Sequence, residues 1–142
     1  MIKIQIPATS ANLGAGFDAL GLALTYYNYI EMEECDKIDI TAADGLDIPT
    51  DERNLIYISA KDLFAVCGKR LEGLKLIQTS NIPMARGLGS SSACIIAGLV
   101  GANKMLGDPL TKDDLVDLAA QIEGHPDNTA PALLGGIVTA VF

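Results

Sequence analysis

The stretch Pro83-Met-Ala-Arg-Gly-Leu-Gly-Ser-Ser-Ser-Ala93, PMARGLGSSSA, packs one proline, two glycines and three serines into eleven residues. A strand-like run, Leu74–Ser80, comes before it. The apolar run Ala93–Ala102 follows and predicts a helix over Ser91–Leu106. Strand, glycine turn and helix start, in that order, present a cluster of backbone N–H groups. Gly87 and Gly89 permit positive φ and close backbone approach. The first N–H groups of a helix lack intrahelical partners, and the helix dipole adds about half a positive charge there. A phosphate fits that field. The hydroxyls of Ser90, Ser91 and Ser92 can cap the helix, touch phosphate or ligate Mg²⁺, and Arg86 brings one cation nearby. For an isolated GxGS, an ordinary glycine turn with a serine cap is the better reading; the full stretch is more specific. It is neither GxxxxGK[ST] nor GxGxxG.

Outward from this stretch the chain alternates strands and helices. Ile2, Ile4 and Ile6 alternate with Lys3 and Gln5, a half-buried strand that Pro7 is expected to end. Ala8–Gly16 reads as a loop. Leu20–Glu34, rich in Leu, Tyr, Ile and Thr, suits a strand, and Lys37–Ala43 repeats the alternation and is expected to pair with it. Asn54–Cys67 has helical spacing and stops at Gly68. Thr111–Glu123 is a second long helix, with Thr111 and Asp114 placed as a capping box. The end, IVTAVF, is strand-like. These elements predict one domain of class α+β, a mostly antiparallel sheet with helices on one face. An apolar strand at the very end of the sequence leads to the expectation that this is the front part of a longer protein.

Composition narrows the function. The chain has 142 residues and a net charge of −8, with a pI near 4.4. No Lys/Arg cluster marks a nucleic-acid surface, and an acidic body disfavours anionic membranes. Local backbone N–H groups can still bind an anion. Cys35, Cys67 and Cys94 are dispersed, which argues against a disulfide framework or zinc site and for a reducing cytoplasm. The N-terminus has no signal-peptide pattern, and no apolar run is long enough to span a bilayer.

Two further stretches carry chemistry. Pro7–Asp18, PATSANLGAGFD, offers the Asn12 amide and the Asp18 carboxylate in a glycine-containing loop; Asx turns explain either residue alone. Glu123–Asn128, EGHPDN, gathers two carboxylates, an amide and the chain's one histidine, His125, after a helix. A lone histidine is more often structural. Beside Asp127 and Asn128, and without apolar neighbours, the functional reading is favoured. Glu123 suits Mg²⁺, which takes one or two carboxylates with phosphate oxygens.

Together the three stretches resemble the GHMP kinase superfamily. PMARGLGSSSA is similar to its phosphate loop, and PATSANLGAGFDALGLAL and EGHPDNTAPALLGG resemble the homoserine kinases within it. The resemblance runs from Ile2 to the last residue and covers the front half of such an enzyme. It implies the fold of a GHMP N-terminal, ATP-binding domain over 1–142 (ribosomal protein S5 domain 2-like), with a C-terminal domain beyond it. It implies ATP-dependent phosphorylation of the L-homoserine hydroxyl in threonine biosynthesis, in a cytoplasmic enzyme that forms a homodimer at full length. By this resemblance Pro83, Met84, Ala85, Arg86, Gly87, Leu88, Gly89, Ser90, Ser91 and Ser92 wrap the ATP phosphates, and Asn54 in NLIY lies near adenine and ribose. Ser91 and Glu123 hold Mg²⁺. Asn12, Asp18, His125, Asp127 and Asn128 line the amino-acid pocket, with Asp127, Asn128 and Arg86 catalytic.

Phosphoryl transfer is mainly positioning and charge neutralisation, which suits those roles. Asp127 is the candidate base, and a base-free route with the proton passing to phosphate stays open. Asp127→Asn separates them, because a general base contributes ~10²–10⁴-fold. An amino-acid carboxylate usually meets an arginine, yet only Arg53, Arg70 and Arg86 occur here. The carboxylate clamp is therefore expected outside this stretch, and the stretch alone is expected to be inactive. Other readings are a sibling kinase for mevalonate or shikimate, a noncatalytic nucleotide-binding or assembly module, and, well behind, a NAD-binding domain.

Overall fold

The computed structural model describes residues 1–10, 20–82, 89–124, 129–134 and 137–139, with the backbone alone for 20–22 and 137–139. The elements run β1 (Ile2–Ser10), β2 (Leu20–Cys35), β3 (Ile38–Ala42), α1 (Leu55–Val66), β4 (Gly73–Thr79), α2 (Ser90–Met105), α3 (Lys112–Glu123), α4 (Thr129–Leu134) and β5 (Ile137–Thr139). The strands form one sheet in the order β1-β2-β4-β3, with β5 paired to β2. All pairings are antiparallel except β3 with β4. The expected α+β class, a mostly antiparallel sheet with helices, is what the chain forms.

The 16-residue β2 organises the sheet. It pairs with β1 along one side and, on the other, with β5 near Leu20–Leu22 and β4 over Tyr29–Cys35. Alternation decides what each strand buries. Ile4, Ile6, Ile30, Met32, Leu74 and Leu76 point into the core, while Lys3 and Gln5 are exposed. Over that inner face lies α2, packed on β1 and β2 and against α1 and α3. Ala93, Ile95, Ile96, Ala97, Leu99 and Ala102 are buried and Cys94, Val100 and Met105 partly so, which makes α2 a central helix rather than an amphipathic surface one.

Two expectations need correction. Pro7 does not end β1, which runs on to Ser10. The register jumps from Pro7↔Tyr27 to Thr9↔Ala23, so the proline sits at a bulge on a strand that pairs only with β2 among the described residues. Both settings tolerate a missing N–H. Nor does the Lys37–Ala43 segment pair with β2. Its strand, β3, lies beside β4 in parallel, and β4 separates the two. The reason is apolarity: β4 alternates Leu74 and Leu76 with Ile77 and suits a central place, whereas β3 exposes Asp39 and Thr41 and suits an edge. Parallel neighbours need a crossover, which α1 supplies. Thr129–Leu134 adds a short helix, α4, that was not expected, and the expected strand-like end follows it as β5 over Ile137–Thr139. Pro131 stands in its first turn, where proline removes no helical hydrogen bond.

The helix ends follow the sequence closely. Asn54 caps α1 through its Oδ1, which accepts from Ile56 N–H at 2.9 Å. Thr111 and Asp114 form the expected capping box on α3. Asp114 accepts the Thr111 N–H at 3.0 Å, which holds its carboxyl below the usual range. No helix of the described residues is long and apolar enough to cross a membrane.

Candidate phosphate and metal site

The helix start predicted from PMARGLGSSSA is in place. Gly89 precedes α2 in the left-handed region, φ 73° and ψ 34°, which glycine adopts without strain. Gly89 has no side chain with which to cap this helix end. Ala93 N–H makes the first intrahelical bond, to Gly89 O at 2.9 Å. The N–H groups of Ser90, Ser91 and Ser92 lie ahead of it, in the turn where a helix has no carbonyls of its own to offer.

At that same end two hydroxyls meet one carboxylate. Ser91 Oγ donates to Glu123 Oε1 at 3.2 Å, and Ser92 Oγ donates to the same oxygen at 3.3 Å. Both are longer than an ordinary O–H···O bond of about 2.7–2.8 Å, so the carboxylate is held without being locked. Ser91 is exposed and Ser92 is fully buried. Glu123 is the last residue of α3, and Gly124 ends that helix in the left-handed region. The C-terminus of α3 is thereby brought to the N-terminus of α2, where a negative group is stabilised.

This donor set suits a hard cation that draws most of its ligands from elsewhere. One carboxylate and one accessible hydroxyl are too few for a protein cage, and no cluster of three or more His, Cys, Asp or Glu occurs among the described residues. Mg²⁺ is bound in that sparse way, keeping water and phosphate oxygens. Ser91 and Glu123 fit it. Cys94, one turn further along α2, is no nucleophile: burial pushes its thiol up to about 11, which keeps it protonated.

The strand–loop junction ahead of the stretch is fastened by side chains that sequence reading did not single out. Ser80 N–H donates to Asp44 Oδ2 at 2.8 Å. Leu46 N–H donates to Asp44 Oδ1 at 3.2 Å. These N–H groups, Ser80's foremost, hold the Asp44 carboxyl below the usual carboxylate range. Gln78 Nε2 donates to Ser80 Oγ at 2.9 Å, and Ile82 N–H donates to Asn28 Oδ1 at 2.8 Å. The available signal was a polar residue at an inward strand position: Asn28 in line with Ile30 and Met32, and Gln78 in line with Leu74 and Leu76.

Of the residues expected to form the site, the structure brings together Gly89, Ser90, Ser91, Ser92 and Glu123. Asn54 stands apart as the buried cap of α1; its Nδ2 donates to Pro49 O at 2.9 Å while its Oδ1 takes the helix N–H groups. Its side chain is thus committed to shaping the loop before α1. Asn12, Asp18, Pro83, Met84, Ala85, Arg86, Gly87, Leu88, His125, Asp127 and Asn128 lie outside the described residues.

Comparison with known proteins agrees with this geometry. The homoserine kinase of Carboxydothermus hydrogenoformans is 50% identical over 145 residues, covering 100% of this chain and 48% of that protein. The chain spans about half the length of the curated relatives it matches. A Listeria monocytogenes chain assigned as the homoserine kinase thrB superposes with a TM-score of 0.85 at 45% identity, over 99% of this chain and 50% of that one. The mevalonate kinase of Methanococcus jannaschii shares the fold alone, with a TM-score of 0.74 at 18% identity over 96% of this chain and 52% of that one. Residues 54–136, more than half of the chain and including α1, β4, α2 and α3, match the GHMP kinases N terminal domain. With a glycine-led helix start facing a carboxylate inside that match, the chain belongs to the GHMP kinases.

Proposed function

We propose that this chain is the N-terminal, ATP-binding domain of a homoserine kinase, an enzyme that moves the γ-phosphoryl group of ATP to the side-chain hydroxyl of L-homoserine in threonine biosynthesis. The observation that carries the reading is the meeting of Ser91, Ser92 and Glu123 at the glycine-led start of α2. It supplies what phosphoryl transfer asks of a protein: fixed donors for phosphate oxygens and a place for a cation. The identity to homoserine kinases along the whole chain supports the substrate.

In this reading the Gly87–Ser92 backbone and Arg86 take the phosphates, and Ser91 with Glu123 takes Mg²⁺. When bound, that ion offsets phosphate charge. Asn54 orders the loop beside the nucleotide. Asn12, Asp18, His125, Asp127 and Asn128 hold the amino acid: Asp18 against its ammonium group, and Asn128 against the attacking hydroxyl. A C-terminal domain completes the pocket and brings the carboxylate clamp. The complete enzyme works as a cytoplasmic homodimer on small molecules, with no nucleic-acid or membrane partner.

The test is coupled ADP formation by the complete enzyme with Mg·ATP and a panel of homoserine, mevalonate and shikimate. Turnover with homoserine alone is expected. Turnover with another alcohol instead would retain the kinase and discard the pocket assignment. Within the pocket, His125→Ala is expected to raise KM for homoserine about tenfold or more, the loss of one hydrogen bond to a charged group, and to leave KM for ATP nearly unchanged. Equal rises in both would make His125 structural.

A further inference from the structure

The residue ahead of the glycine-rich stretch is held from across the sheet. Ile82 N–H reaches Asn28 Oδ1 at 2.8 Å, bridging 54 positions of sequence. Both residues are 2% exposed. Asn28 sits on β2 opposite Ile6 of β1, one residue before Tyr29 pairs with Thr79 at the end of β4. The chain therefore leaves the sheet at Thr79 and is caught again by Asn28 three residues later. At the other end, Gly89 is fixed by the first hydrogen bond of α2. Ile82 is the residue next to Pro83, where the sequence assigned above to the ATP phosphates begins.

Asp44 and Gln78 also touch this junction, at Ser80. Asp44 is exposed, and water can replace its carboxylate. The Asn28 bond is dry, and nothing replaces it: Ile82 N–H would be left buried and unpaired. We infer that Asn28 is a positioning residue for the ATP phosphates, acting through the Ile82 backbone and not by touching the nucleotide. This rests on the kinase reading above.

The complete enzyme with Asn28→Ala and Asn28→Asp tests it. Asn28→Asp keeps an acceptor oxygen in the same place; Asn28→Ala removes it. Asn28→Ala is expected to raise KM for ATP about tenfold, the equivalent of one buried hydrogen bond, with KM for homoserine within about twofold. Amide hydrogen exchange gives a second reading that needs no catalysis. Ile82 lies in no strand or helix, yet its amide is expected to be protected; Asn28→Ala should expose it while the α2 amides of Ala97 and Leu99 stay protected. Asn28→Asp should restore protection and most of the ATP affinity. Fast Ile82 exchange in the unsubstituted enzyme overturns the inference and requires no variant to fold. So does an unchanged KM for ATP in an Asn28→Ala enzyme whose Ile82 amide has opened. An unsubstituted enzyme that forms no ADP with any alcohol removes the kinase reading, and this inference with it. The Ile82 exchange distinguishes that failure from a failure of the Asn28 bond.

Discussion

Glu123→Gln is expected to lower kcat/KM for Mg·ATP by roughly 10²–10³-fold, the range seen when one fixed electrostatic group is removed from a transition state. The glutamine keeps the shape and one oxygen acceptor, so the hydroxyls of Ser91 and Ser92 still have a partner. What goes is the negative charge at the mouth of α2. If that charge holds Mg²⁺, the concentration of Mg²⁺ needed for half-maximal rate must rise at fixed ATP. Ser91→Ala should move it in the same direction by less, since a neutral hydroxyl is a weaker ligand than a carboxylate. Ser92→Ala should move it least, because Ser92 is fully buried and reaches the site only through Glu123. Rate measured against Mg²⁺ concentration decides. An unchanged metal requirement in both Glu123→Gln and Ser91→Ala would leave the two as a helix-to-helix tie that holds α3 on α2 and nothing more.

The parts legible in the sequence are those that depend on neighbours along the chain. Thr111 with Asp114, and Gly89 before three serines, fix helix ends within a few residues, and both were readable because a cap acts over two or three positions. Pairing across the sheet is different. Nothing local in Lys37–Ala43 says that β4, arriving after a whole helix, will take the place beside β2. That choice is made by comparing the apolarity of two strands far apart in sequence. Pro7 misleads for a related reason: its cost depends on whether its missing N–H faces a partner, and at a bulge it does not. The site divides the same way. The serines and Glu123 were readable as motifs, but the Asn28–Ile82 bond joins an unremarkable strand residue to an unremarkable turn residue. Only the third dimension makes them neighbours. Asn54 shows the converse. Its place in a motif pointed to the nucleotide, while its side chain proves to be occupied in capping α1.

Gly98→Ala is expected to destabilise the fold by about 1–3 kcal/mol, the usual cost of overpacking a dense core. Two effects compete. Alanine is the better helix former by about 1 kcal/mol, which favours the variant. Against it, an added Cβ at Gly98 would run into the carbonyl oxygen of Ile56, with Ser59 Cβ at 2.8 Å and Ala60 N at 3.1 Å. Two of these three atoms are backbone of α1, whose start is pinned by the Asn54 cap, so α1 and α2 must part along their length. The steric term should therefore win, with the transition falling by about 4 °C for each kcal/mol in a domain of this size. Gly101→Ala provides the control on the other side of the same helix. There the added atom meets Met32 Sδ and Cε and Ile4 Cδ1, the ends of side chains, one of them a flexible methionine. Its cost should be smaller, with the helix propensity gain offsetting much of it. Denaturant unfolding of the two variants side by side gives the answer. A Gly98→Ala protein as stable as Gly101→Ala would mean that α1 and α2 can separate freely. In that case the orientation of α2, and with it the direction in which Ser90, Ser91 and Ser92 present their N–H groups, would be set by the sheet beneath and not by α1. If instead Gly98→Ala is the costlier change, α2 is clamped from both sides, and the same variant should also weaken use of Mg·ATP although its alanine lies two turns from the serines.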